Sequence, residues 1–409
     1  MNWFMTGLLF SIKKQNNMKR MKYIAKRALM MAAALVCLVS GTLVMAVPAA
    51  CADYAVQTVL ASVENIDIYG DPKLEMTSGE LADLGYEYAD IVTVHFLDQT
   101  IDMPVIPAFR YVGSGCVGLL MWEERSDPLC IAIFNGSFTT EYGLAETQMG
   151  SDGKQMYVPG AEYPIVFTID MKEKNGYADT YALFDLSRTN SRADYPGLSD
   201  EEFANFREVT AGGIGAGRLY RSSSPINPQF GRNRYADQAA EKHGIKSVIN
   251  LEDTEESARE YSGYEGSYYS RQNVLYLNLG VDLTLEYNRA NLVKAMERIA
   301  EAEASILVHC MEGTDRAGVF VALLECLMGA SAEEIRQDYM ITFYNYYGLT
   351  PGTEQYEQIS HGIETNLENV FDAGDFEGLD LQREAEAFFF RSGVDQETLD
   401  AVKKKLAGE

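Results

Sequence analysis

The chain has 409 residues, 34 of them basic and 60 acidic, for a net charge of −26. It is 47% hydrophobic and 11% aromatic, a globular composition with no repeat of solenoid period. Such an acid excess repels nucleic acid and anionic membranes, so neither is expected as a general partner. Residues 1–52 break the pattern: seven basic residues, from Lys13 to Arg27, no acidic ones, then an apolar run from Ala28 to Val47 and the small-residue stretch PAACA. That order predicts a signal peptide cut after Ala52, and hence a secreted or extracytoplasmic protein. Two alternatives stay open. Cys51 is lipidated, or the apolar run is kept as a membrane anchor; the membrane is a partner only in those cases. Removing the segment takes seven positive charges and leaves −33.

Residues 53–190 read as a β-rich accessory domain. DIVTVHFL (Asp90–Leu97), CVGLLMW (Cys116–Trp122), LCIAIFNG (Leu129–Gly136) and YPIVFTIDM (Tyr163–Met171) are short, rich in β-branched and aromatic residues, and punctuated by turn residues. A sandwich or barrel is expected. Cys116 and Cys130 either pair across strands or stay as two buried thiols. SRTNSRADYPGLSDEEF (Ser187–Phe203) marks a linker, and a helix over Leu198–Val209 is predicted with Ser199 and Glu202 as its capping box.

Residues 198–409 alternate. Strands are expected in GRLYRSSSP (Gly217–Pro225), IKSVINLED (Ile245–Asp253), NVLYLNLGV (Asn273–Val281) and SILVHC (Ser305–Cys310). Helices are expected over Tyr235–His243, Tyr287–Glu303, Arg316–Met328 and Ala332–Tyr347, with a broken helical tail from Thr353 to Leu406. This predicts an α/β domain with a parallel-type central sheet flanked by helices.

HCMEGTDRAG (His309–Gly318) stands between the most apolar strand and the most apolar helix. A loop there lies at the carboxyl end of the sheet, where ligands bind. Inward-turned amides of Met311, Glu312, Gly313, Thr314, Asp315 and Arg316 would form an anion nest at the positive end of a helix. The same field lowers the pKa of a thiol, making Cys310 a candidate nucleophile. Arg316 suits a bidentate grip on phosphate oxygens. There is no CxxC or HExxH and only four histidines, so neither a metal nor a cofactor is expected. Cys326 reads as a packed helix thiol.

On these residues, with LYRSSSP and SVINLEDTEE upstream, the chain resembles the cysteine-dependent phosphatases of the protein-tyrosine phosphatase superfamily. It is most similar to the bacterial tyrosine/lipid phosphatase group with its HC-x-x-G-x-D-R loop. The resemblance covers roughly Ala211–Tyr347. It implies phosphomonoester hydrolysis through a cysteinyl-phosphate, with Cys310 as nucleophile, Arg316 as clamp and His309 as a holder of the thiolate. For His309 a satisfied core imidazole is the other reading. The superfamily's acid is an Asp some thirty residues before the cysteine, which implies Asp282, with Asp315 second. Two departures stand out. Ala317 replaces the hydroxyl residue that helps the thiolate leave, and Thr314 replaces a lysine used with polyphosphorylated ligands. The first implies slow breakdown of the cysteinyl-phosphate; the second, with Glu312 also in the loop, leaves less positive charge and favours phosphotyrosine or another single monoester. An inositol-phosphate or phosphoinositide substrate would need a basic rim, from Arg218, Arg221, Lys242, Lys246 and Arg271. An inactive phosphate-binding module is the third reading.

Overall fold

A computed structural model describes residues 58–67, 69–149, 155–159, 165–302, 305–374 and 376–409. The expected signal segment, with Cys37 and Cys51, lies outside the described residues.

The first part is a barrel. Strands β1 (Val59–Ile66), β2 (Pro72–Thr77), β3 (Ile91–Phe96), β4 (Gln99–Ile106), β5 (Val117–Leu120), β6 (Pro128–Ile133) and β9 (Val166–Glu173) close in the order β1-β2-β6-β5-β4-β3-β9. Between β6 and β9 lies a separate hairpin, β7 (Ala145–Met149) with β8 (Gln155–Pro159). Closure removes the sheet edges, which in an open sheet would need covering. In β3 the burial alternates strictly, with Val92, Val94 and Phe96 inside. Phe96 stacks on Phe167 of β9 at 4.9 Å in the barrel interior.

β6 does not alternate, because both of its faces are covered. Leu129 and Ile131 belong to the barrel core, whereas Cys130 and Ala132 join a second apolar cluster that continues into the helices of the second part. Leu119 and Leu120 of β5 divide in the same way. Cys116 and Cys130 form no disulfide. In the β5–β6 ladder Cys130 faces Leu120, while Cys116 lies beyond Val117 at the other end, paired with Phe134. The pairing alternative is therefore corrected; moreover only Cys130 is buried, and Cys116 is exposed.

Short helices α1 (Ser78–Asp83), α2 (Phe138–Tyr142) and α3 (Ala178–Phe184) decorate this part. Helix α4 (Asp200–Phe203) has the expected capping box, with the Ser199 side chain accepting from Glu202 N and the Glu202 carboxylate accepting from Ser199 N. It is shorter than expected, since the chain turns at Asn205 (φ 52°) into strand β10 (Arg207–Val209).

The second part is a five-stranded sheet in the order β10-β11-β14-β12-β13, with β11 (Leu219–Ser222), β12 (Ser247–Asn250), β13 (Asn273–Tyr276) and β14 (Ile306–His309). Those four strands run parallel, as expected; β10 is antiparallel to β11, so the sheet as a whole is mixed. Val248 and Leu307 pack on one face, against α5 (Asn233–Lys242) and α6 (Glu255–Glu260). Ile249, Ile306 and Val308 pack on the other, against α7 (Glu286–Glu301), α8 (Arg316–Leu327), α9 (Ala332–Tyr347), α10 (Glu354–Phe371), α11 (Leu381–Ser392) and α12 (Gln396–Ala407). Covered on both faces, the strands read as unbroken apolar runs. Among the described residues no helix is long and apolar enough to cross a membrane.

Candidate active site

Ser222, Asn250 and His309 stand level in the parallel register, so β11, β12 and β14 end together. The chain leaves the sheet there at Cys310 and enters α8 at Arg316. The loop between is held from outside through its carbonyls. The Cys310 carbonyl lies 3.2 Å from His309 Nδ1, and the Met311 carbonyl accepts from Ser224 N at 2.9 Å. That of Glu312 accepts from Asn205 Nδ2 at 3.1 Å and from the Tyr346 hydroxyl at 3.0 Å. That of Gly313 accepts from the buried Arg221 at 2.7 Å. A peptide plane carries its N–H opposite its C=O, so tying successive carbonyls outward turns amides inward. Among the described residues none of the six amides from Met311 to Arg316 donates to a protein acceptor. Gly313 makes the turn at φ 76°, and a Cβ there would sit 2.4 Å from Ser222 O.

Cys310 is 2% exposed. Burial pushes its thiol up, Arg316 and the Ala317 N–H pull it down, and Glu252 and Asp315 push it up; the net direction is up. The depressed thiol expected from a helix N-terminus is therefore not seen, with burial the largest cause and the acidic neighbours adding to it. Arg316 is nearly buried, donates to Leu279 O at 3.3 Å, and faces Glu252 Oε2 at 3.9 Å. Burial opposes its charge, but Cys310, Glu252, Tyr69 and Asp315 outweigh that and keep it protonated. Tyr69 lies between β1 and β2, so the barrel reaches the site electrostatically.

His309 is fully buried, and burial pushes it down to about 4, so it is neutral at physiological pH. Tyr269 Oη lies 3.0 Å from His309 Nε2 and accepts from Asn250 Nδ2 at 3.0 Å. The Tyr269 proton therefore points at Nε2, and Nδ1–H donates to the Cys310 carbonyl. The imidazole grips the loop backbone rather than the sulfur. Asn250 Nδ2 also donates to Asp253, which accepts from the Tyr261 hydroxyl at 3.0 Å.

Asp282, before α7, is half-buried. Its Oδ1 accepts from Thr284 N at 2.8 Å and Thr284 Oγ1 at 2.6 Å. Burial pushes its carboxyl up, the Thr284 bonds pull it down. Among the described residues no bond or ion pair joins it to Cys310 or Arg316. Asp315 caps α8 without a side-chain cap bond. Burial first, then Glu312, push its carboxyl up to about 6, against Arg316 and Arg188. Thr314 and Met311 are half-buried in the loop.

The five candidates for a basic rim do not gather at the loop. Arg221 is 1% exposed and paired with Asp338, with its other end on the Gly313 carbonyl. Arg218 reaches toward Gly408 O at the C-terminus, and Lys242 pairs with Glu201. Lys246 and Arg271 are exposed, just before β12 and β13, at the strand ends remote from the loop. Instead, a residue not foreseen from sequence holds the loop. Arg188 makes two bonds to the Glu312 carboxylate, at 2.7 and 2.6 Å, and lies over Phe230 and Tyr346. Glu252, in SVINLEDTEE, is a second such residue. Its signal was a carboxylate just past the carboxyl end of a buried strand.

A strand–loop–helix anion nest with a buried cysteine at its base and an arginine at its far end is a phosphate-loop architecture. The chain belongs to the tyrosine phosphatase family, whose pattern its residues 199–407 match, and it is a cysteine-dependent phosphatase. No curated protein matches it. Among solved structures it is similar to TpbA of P. aeruginosa in complex with pTyr, at 17% identity over 52% of this chain and 94% of that one, with a TM-score of 0.26. It is also similar to the core catalytic domain of the PP-IP phosphatase SIW14 of S. cerevisiae in complex with citrate, at 20% identity over 40% and 90%, TM-score 0.25. An uncharacterized conserved protein of Thermotoga maritima is matched at 16% identity over 28% of this chain and only 38% of that one, TM-score 0.21.

Proposed function

We propose that the chain is an exported phosphatase of phosphotyrosine-like monoesters, working through a cysteinyl-phosphate on Cys310. The single observation that carries this reading is the loop itself: carbonyls tied outward and, among the described residues, six amides left without a protein acceptor around a buried cysteine. The amides and the Arg316 guanidinium receive the phosphoryl oxygens, and charge developing on them in transfer meets fixed donors. Cys310 Sγ attacks phosphorus, the ester oxygen leaves with a proton, and water then releases phosphate from sulfur. His309 acts as a positioning residue, through the Cys310 carbonyl.

Two carboxyls compete as proton donor. Asp282 is the one the family resemblance implies. Asp315 is favoured by its carboxyl, which is not engaged in a cap bond and is held near pH 6, where it can both carry and release a proton. A single monoester is preferred over a polyphosphate because the candidate basic side chains lie elsewhere, while Glu252, Glu312 and Asp315 crowd the loop with carboxyls. Residues 198–409 carry the chemistry, and the barrel within 53–190 buttresses them. Export rests on residues 1–52 alone; N-terminal sequencing of the protein from culture medium tests it.

The experiment is turnover of an aryl phosphate in EDTA by the wild type, Cys310→Ser, Asp315→Asn and Asp282→Asn. The expected result is turnover abolished in Cys310→Ser, and an alkaline limb beginning near pH 6 that disappears in Asp315→Asn. A limb that disappears in Asp282→Asn instead moves the acid to that residue. A burst of one equivalent followed by a stall, relieved in Ala317→Ser, would assign the trapped intermediate to Ala317. Undiminished turnover in Cys310→Ser would refute the reading.

A further inference from the structure

The Glu252 side chain is 10% exposed, and its Oε2 is buried without a hydrogen-bond partner among the described residues. That oxygen faces Arg316 Nη2 at 3.9 Å, too far for a hydrogen bond, near enough to flank any oxygen the guanidinium holds. Its neighbours are the Arg316 cation and two carboxylates, Asp253 and Glu312; the Cys310 thiol and the Tyr261 phenol also feel its charge. The two neighbouring carboxylates have hydrogen-bond donors of their own. Asp253 accepts from Asn250 and Tyr261, and Glu312 takes the two bonds from Arg188. Among the described residues Glu252 has only Arg316, at a distance, and that arginine is the group a phosphoryl dianion would engage. An ionised Glu252 would repel such a dianion. A protonated one has a hydrogen to give it.

We propose that Glu252 is a substrate-contacting residue whose protonated carboxyl donates a hydrogen bond to a phosphoryl oxygen held by Arg316, so that the site takes up the dianion together with a proton. This rests on the reading of the Cys310–Arg316 loop as the phosphoryl site. Burial, opposed by Arg316 and aided by Asp253 and Glu312, places this carboxyl at about 7, so the proton is available near neutrality and scarce above it. A raised carboxyl pKa makes the protonated state the one favoured below about pH 7 and lost as pH rises through it. The proposal gives a specific reason for an acidic side chain in an anion site: it acts as a neutral donor.

The test uses the full chain and tungstate, a dianion whose charge is constant from pH 7.5 to 9. Calorimetry in two buffers of different ionisation enthalpy measures the affinity and the protons taken up on binding. For the wild type we expect an affinity that falls about tenfold per pH unit across that range, with uptake of about one proton per anion. For Glu252→Gln, which keeps a neutral donor, we expect a flat affinity and no uptake. Glu252→Leu should also be flat, and weaker. Proton uptake by the wild type needs no variant, so a folding defect in either substitution does not blunt the test. Binding with no uptake, or a slope unchanged in Glu252→Gln, overturns the role of Glu252 and leaves the loop reading intact. Absence of any binding, with the wild type indistinguishable from Arg316→Ala, overturns the loop reading itself.

Discussion

The most demanding prediction concerns Gly313→Ala. Gly313 holds φ 76°, and an added Cβ would lie 2.4 Å from Ser222 O and 2.7 Å from Ser222 C, backbone atoms of β11 that cannot rotate away. The left-handed conformation costs an L-residue about 1–2 kcal/mol. Relieving the overlap requires a movement of about 1 Å, since nonbonded carbon contacts settle at about 3.5 Å, and overpacking of this kind costs about 1–3 kcal/mol more. The displacement falls on the loop as well as on β11, and on the proposed reading the loop amides hold the phosphoryl group to within about 0.5 Å. A misplacement of 1 Å typically costs about 100-fold in rate. We therefore expect kcat/KM for an aryl phosphate to fall at least about 100-fold, with a lower urea midpoint and unchanged far-ultraviolet circular dichroism. A variant with wild-type kcat/KM would refute the claim that this glycine fixes the cradle.

Arg221→Met removes a buried guanidinium shared by Asp338 and the Gly313 carbonyl. Breaking a buried pair on one side costs about 3–5 kcal/mol, read from denaturant unfolding; Asp338 also accepts from Arg207 Nε at 2.8 Å, and a loss below about 1 kcal/mol would mean that Arg207 alone satisfies it. Arg188→Met leaves the half-buried Glu312 carboxylate unpaired beside Asp315. Arg188 pulls the Asp315 carboxyl down and Glu312 pushes it up. Its removal raises that carboxyl above about 6, so any limb of the pH–rate profile belonging to Asp315 moves to higher pH. An unmoved limb assigns it to another group.

The α/β part was legible because its signals are local. A four-residue apolar run bounded by glycine-containing turns reads as a two-faced strand, and Ser199 and Ser331 announce their helices through side chains that cap them within three residues. The loop was legible for the same reason, since cysteine, glycine and arginine lie in one decapeptide. What failed was contact over distance. Arg188 reaches Glu312 across 124 positions, and nothing in the linker marks that arginine as different from Arg192, which stays local. Arg221 stands in the sequence as a candidate for the basic rim; its burial is decided by Asp338, 117 positions on. Strands β1, β2 and β4 escaped notice because charged and polar residues interrupt them, facing outward on the barrel. The helix expected from Leu198 is cut short because nothing local announces the turn at Asn205, where the side chain instead ties β10 to the Cys310–Arg316 loop.

The two-faced strand β6 bears on how this catalyst can be inherited. Its outer residues, Cys130 and Ala132, belong to the same apolar cluster as α8, the helix that begins with Arg316. Arg188, which neutralises the loop's own glutamate, precedes the first residue of the family match. A gene fragment beginning at Ser199 would thus encode the chemistry but forfeit a counter-ion and expose an apolar flank. Recombination that moved residues 199–409 alone would uncover that flank and strip Arg188 from Glu312, so the two parts are expected to be inherited together.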